Sequence, residues 1–81
     1  MPLYMDVHNV PGVSYDDVVE AHKKDLERQD AYNVTYKQFF VDELNGKIYC
    51  LVEAPDPEAA NRVHSEAHGL LADEIHEVRE G

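Results

Sequence analysis

His64 and His68, in the stretch VHSEAHG, stand four residues apart. A helix turns once in about 3.6 residues, so both imidazoles project from one face of any helix that contains them. Imidazole is a borderline ligand, and a pair at this spacing is one way a helix offers two donors to a first-row metal. The same spacing also decorates ordinary surface helices. HSEAH lacks the Glu directly after the first His that metalloprotease helices carry. Asp6 and His8 form a second pair. Two apart on an extended segment, they share a face and set a carboxylate oxygen beside an imidazole nitrogen. A polar pair at a strand end is the plainer reading.

His22 lies between Val18 and Leu26 on an apolar helical stripe, where the pattern asks for a leucine. It is either a hydrogen-bonded core residue or a donor facing His64 from a neighbouring helix. Glu53 adds a carboxylate to Asp6 and His8 if their strands are neighbours. Cys50 is the one cysteine. That excludes an internal disulfide and a CxxC motif, and mid-strand it reads as a small buried hydrophobe. His76 points either to an open sheet face or to water. Ser14 and Ser65 are the only serines, neither sits in a nucleophile elbow, and no glycine-rich phosphate loop is present. General acid–base chemistry by histidines and carboxylates stays open.

The elements that must position these residues follow from periodicity. LYMDVH alternates Leu3, Met5 and Val7 against Tyr4, Asp6 and His8, the pattern of a half-buried strand. Ser14 with Asp17 has the spacing of a helix cap, and an amphipathic helix runs from there to DAYN. VTYKQFFVDE and KIYCLVEA are rich in β-branched and aromatic residues, with a hairpin turn at LNG. Asp56 as N-cap, Pro57 at the first helical position and Gly69 past the last turn bracket a second helix, whose buried stripe is Ala60, Val63 and Ala67. DEIHEVRE closes as a short strand.

The order strand, helix, strand, strand, helix, strand predicts an α+β, ferredoxin-like βαββαβ sandwich: a four-stranded antiparallel sheet with both helices on one face. Hydrophobicity places Leu3, Met5, Val7, Ile48, Cys50 and Val52 against the helices. Tyr4, Asp6, His8, Tyr49, Leu51 and Glu53 then fall on the open face, an apolar patch that a second subunit would cover. On that parity one ion does not reach both Asp6–His8 and the helical histidines. The expectation is therefore two sites, one at a dimer interface. A one-residue slip would instead turn Asp6 and His8 inward.

At 81 residues the chain reads as a single domain, residues 1–81. Seventeen acidic residues against seven basic ones give a formal charge of −10. Such a surface repels nucleic-acid phosphates and anionic lipid and concentrates cations. The N-terminus has no basic region followed by a long apolar run, and no segment has the length of a membrane span, so a cytoplasmic protein is expected.

YMDVH, EAHKKDLERQD and above all YCLVEAPDPEAANRVHSEAHGLLADEI resemble a family of small bacterial nickel-binding proteins, formerly a domain of unknown function. The resemblance covers nearly the whole chain. It implies the ferredoxin-like fold, dimerisation through the sheets, and binding of nickel or a similar divalent ion rather than a proven enzyme; storage, buffering or sensing is the leading reading. Carried over residue by residue, it implicates Asp6, His8, His22, His64 and His68; a wider set of members keeps the equivalents of Cys50 and His64 but lacks most of the other histidines. Several imidazoles with carboxylate oxygens suit Ni²⁺, and the same donors bind Cu²⁺ more tightly and Zn²⁺ comparably. The competing reading is a dimeric α/β-barrel enzyme or small-molecule binder, with a cavity on the open face lined by Tyr4, Asp6, His8, Tyr49 and Glu53.

Overall fold

A computed structural model describes residues Met1–Gly81. The chain forms β1 (Leu3–Asn9), α1 (Tyr15–Arg28), a 3-10 turn (Gln29–Tyr32), β2 (Thr35–Asp42), β3 (Lys47–Glu53), α2 (Pro57–Ala67) and β4 (Glu74–Val78). The strands pair antiparallel in the order β2-β3-β1-β4, the ferredoxin-like arrangement. This order makes β1 and β3 the central strands, so side chains from the first and middle thirds of the sequence meet mid-sheet.

Local chemistry sets the helix ends. The Ser14 hydroxyl accepts from the Asp17 amide and the Asp56 carboxylate from the Ala59 amide, each satisfying an amide that lacks a partner within the helix. Pro57 opens α2, where its missing N–H costs nothing. After α1, Asn33 takes a left-handed conformation that turns the chain towards β2. Between β2 and β3, Gly46 sits at φ +67, and a Cβ there would lie 2.8 Å from the Pro11 Cα. Only glycine fits that turn without moving the backbone of the loop before α1.

The core lies between the sheet and the helices, built around Val18, Val34, Tyr36, Ile48, Val52, Ala60 and Val63. Ile48, Cys50 and Val52 face it, as their alternation on β3 predicts. The parity of β1 is the reverse of the hydrophobic expectation: Tyr4, Asp6 and His8 face the helices, while Leu3 and Met5 lie half-buried on the outer face. Asp6 pairs directly with Cys50 across the ladder, which places both side chains on the inner face. Val7 is on the outer side yet buried, beside Tyr49. The open-face cavity lined by Tyr4, Asp6, His8, Tyr49 and Glu53 therefore does not form. The first two sets of donors are on the same side of the sheet, so the separation that called for an interfacial metal site is gone.

Two further details position the centre. On α1 the buried line runs through Val18 and Asp25 rather than Val18 and Leu26; Asp25 is 3% exposed and Leu26 42%. Seven residues bring a helix back to nearly the same angle, whereas eight overshoot by most of a quarter turn. On β2, Tyr36 and Gln38 oppose the consecutive residues Val52 and Leu51, so Lys37 is bulged out. The bulge lets Tyr36 and Phe39, three apart, both face inward.

Candidate metal centre

His64 is the hub. It is 1% exposed, in the last turns of α2, and both of its ring nitrogens meet a buried carboxylate. Nδ1 donates to Asp25 Oδ1 at 3.0 Å, and Nε2 to Asp6 Oδ2 at 2.9 Å. The Tyr36 hydroxyl lies 2.8 Å from Nε2 and donates to the Ala60 carbonyl at 3.0 Å, so its oxygen is free to accept from the ring. His68, one turn on, reaches Asp25 Oδ1 at 3.0 Å through Nε2. The His8 ring packs edge-on against His64 with centroids 4.7 Å apart.

Two nests of donors share His64. One comprises Asp6, His8, Cys50 and His64, the other Asp25, His64 and His68, and within each nest the donor atoms lie within 4.8 Å of one another. Ligands bound at about 2.0–2.3 Å stand roughly 3 to 4.5 Å apart around one ion, so both nests have the right scale. Against them lies a cavity of about 20 Å³, lined by His8, His22, Asp25, Cys50, His64 and His68 among others. That is space for one water or one ion.

Ionisation follows from burial and pairing. Burial alone would push the His64 ring towards neutrality, but the bonds to Asp25 and Asp6 outweigh it and raise its pKa to about 9. Burial likewise works to raise Asp6, and the histidines His64 and His8 overcome it, bringing the carboxyl down to about 2. Asp25 is lowered for the same reason, by His64 and His68 against burial. Burial, with Asp6 adding to it, pushes the Cys50 thiol up, so it keeps its proton. His64 is thus an imidazolium between two carboxylates, an arrangement with one net negative charge.

One atom in this network is unsatisfied. Asp6 Oδ1 is buried with no hydrogen-bond partner. His8 Nε2 lies 3.2 Å away, close enough for an ion pair but misaligned for a hydrogen bond. The other nitrogen, Nδ1, meets the Leu71 carbonyl at 3.2 Å, and a carbonyl only accepts. Nδ1 therefore carries a proton, and Nε2 faces a carboxylate oxygen to which it makes no aligned hydrogen bond. A buried carboxylate oxygen without a hydrogen bond calls for a cation, and a metal ion fits the donors around it.

A family model described as "Nickel responsive protein SCO4226-like" matches residues 4–78. The chain belongs to this family. The crystal structure of SCO4226 from Streptomyces coelicolor A3(2) superposes with a TM-score of 0.90 at 44% sequence identity, covering 98% of each chain. No curated protein matches the chain.

Within this family member, the residues singled out from sequence divide into three groups. Asp6, His8, His64 and His68 come together in the cluster. His22 lines the cavity without belonging to either nest; its ring rests on Phe39 with centroids 4.8 Å apart, and burial lowers its pKa. Glu53 is not brought in: it alternates with Val52 onto the outer face of β3 and pairs with Lys37 at 2.6 Å. His76 is likewise outside, exposed beside Glu74. Sequence reasoning passed over Asp25 and Tyr36 and set Cys50 aside as a small buried hydrophobe. Asp25 had a signal, since it lies seven residues after Val18 and three after His22 on the same helix face. Tyr36 had none, because its inward direction depends on the bulge.

Proposed function

We propose that the protein binds nickel, or another first-row divalent ion, in the buried cluster centred on His64, in storage, buffering or sensing. The observation that carries this reading is the unsatisfied Asp6 Oδ1 facing His8 Nε2. His8, Asp6 and His64 would hold an ion on one side of the hub, beside the protonated Cys50 thiol, and Asp25, His64 and His68 on the other. The ion supplies positive charge: it takes the place of the His64 proton as counter-charge to Asp6 and Asp25 and cancels the net negative charge left by the imidazolium. The family's description as nickel responsive supports nickel as the ion. Donor type does not select it, because the same set follows the Irving–Williams order and takes Cu²⁺ more tightly.

The expected result in solution is thermal stabilisation of tag-free protein. Ni²⁺ at about 100 times its Kd adds about 2.7 kcal/mol, which for a chain of this size raises Tm by about 10 °C or more. In His8→Ala most of that rise should disappear. A wild-type Tm that does not move in excess Ni²⁺ contradicts the proposal.

The proposal extends to a cytoplasmic homodimer paired through the outer sheet face. Supporting it, that face carries half-buried Leu3, Met5, Tyr49 and Leu51 with Phe40 50% exposed, more apolar surface than water favours. No helix is long and apolar enough to cross a membrane.

A further inference from the structure

The segment after α2, residues 69–73, runs across the mouth of the cluster and is fastened at both ends. The Gly69 amide donates to the His64 carbonyl at 2.8 Å, and the Asp73 amide to the Val7 carbonyl at 2.8 Å. Its middle is held by two histidines of the centre and by Asn61, whose Oδ1 accepts from the Ala72 amide at 3.1 Å. His8 Nδ1–H donates to the Leu71 carbonyl, and the Leu70 amide donates to His68 Nδ1 at 3.1 Å. Leu70 also lines the cavity, and on its other side a cleft with Val10, Pro11 and Val13, so it is a wall between the two.

The two histidines hold this strap with opposite tautomers. His8 carries a proton on Nδ1, towards the strap, and turns Nε2 towards the cluster. It accepts a metal without changing its grip on Leu71. His68 is the reverse. Its Nδ1 accepts from Leu70, so that nitrogen has no proton and the ring's N–H is on Nε2, directed at Asp25. When Nε2 takes a metal, a neutral ring has its proton on Nδ1. That N–H then faces the Leu70 N–H, donor against donor, and the bond is lost.

Resting on the metal-binding reading above, we propose that residues 69–73 form a metal-operated latch. Ligation of a divalent ion by His68 Nε2 expels the Leu70 amide from His68 Nδ1 and frees Leu70, while His8 keeps Leu71, Asn61 keeps the Ala72 amide and the ends stay fastened. Occupancy of a buried site is thereby reported at the surface, at Leu70, which no longer separates the cavity from the neighbouring cleft.

The test is NMR on tag-free protein with Zn²⁺, a diamagnetic probe for the same donors. Loading is checked by the rise in Tm. The Leu70 amide should exchange about tenfold faster in the Zn²⁺-loaded protein, the equivalent of one ordinary hydrogen bond, while the Asp73 amide keeps its protection. Long-range ¹H–¹⁵N correlations should show the His68 proton moving from Nε2 to Nδ1. In His68→Ala the Leu70 amide should exchange fast with or without Zn²⁺, with Asp73 protection verifying the fold. A protein that gains Tm with Zn²⁺ yet keeps slow Leu70 exchange and an unprotonated His68 Nδ1 overturns the latch alone. A protein that gains no Tm overturns the metal reading and the latch with it.

Discussion

His64→Ala should destabilise the protein by about 3–5 kcal/mol, the cost of removing one partner from a buried ion pair and leaving the other uncompensated. Here the loss is felt twice, since His64 neutralises both Asp6, fully buried, and Asp25, 3% exposed. Total stabilities of small domains are about 5–15 kcal/mol, so the loss takes a large share of the stability of so short a chain. Urea denaturation reads the effect as a lower midpoint at unchanged slope. Adding Asp6→Asn to His64→Ala should restore part of the loss, because one orphaned charge is gone and the two sites are coupled. A midpoint within experimental error of wild type for His64→Ala would mean that the carboxylates do not depend on the ring.

Ni²⁺ affinity should rise about tenfold for each pH unit between about pH 6 and 8, roughly a hundredfold overall, because binding must displace one proton from His64. The ring's pKa of about 9 keeps that proton in place across the whole interval. Titration calorimetry in two buffers of different ionisation enthalpy should find about one proton released per ion at pH 7. A flat pH profile with no proton release contradicts the imidazolium hub. Stability of metal-stripped protein should follow the opposite trend on the alkaline side. The contribution from His64 is complete below its unfolded pKa of 6.5 and is lost as the pH rises to about 9. The contribution from Asp6 is complete above 3.8 and is lost as the pH falls to about 2. The plateau therefore lies between about pH 4 and 6.5.

The helix caps at Ser14 and Asp56, Pro57 at the start of α2, Gly69 beyond its end, and the hairpin between β2 and β3 are all legible from local chemistry, and they suffice for the topology. The parity of β1 is not. Leu3, Met5 and Val7 alternate with Tyr4, Asp6 and His8, and solvation favours the apolar set inward. What reverses the strand is a partner 58 residues away, His64, together with Tyr36 and Cys50 on the neighbouring strands and Asp25 across from them on α1. An aspartate and a histidine enter the core at acceptable cost only because those groups satisfy them, and nothing within β1 announces it. The same logic explains Asp25 replacing Leu26 on the buried line of α1. The hydrophobic pattern fails at the polar centre and holds elsewhere.

The location of the ion decides between the buried cluster and the surface. Crystals of tag-free protein grown with Ni²⁺ and measured on both sides of the nickel absorption edge should show an anomalous peak about 2.0–2.3 Å from a ring nitrogen of His64. The peak should also contact Asp6 and His8 or Asp25 and His68. Peaks confined to exposed groups such as the His76–Glu74 pair, with the His64 hydrogen bonds to Asp6 and Asp25 intact, would contradict a metal centre in the core.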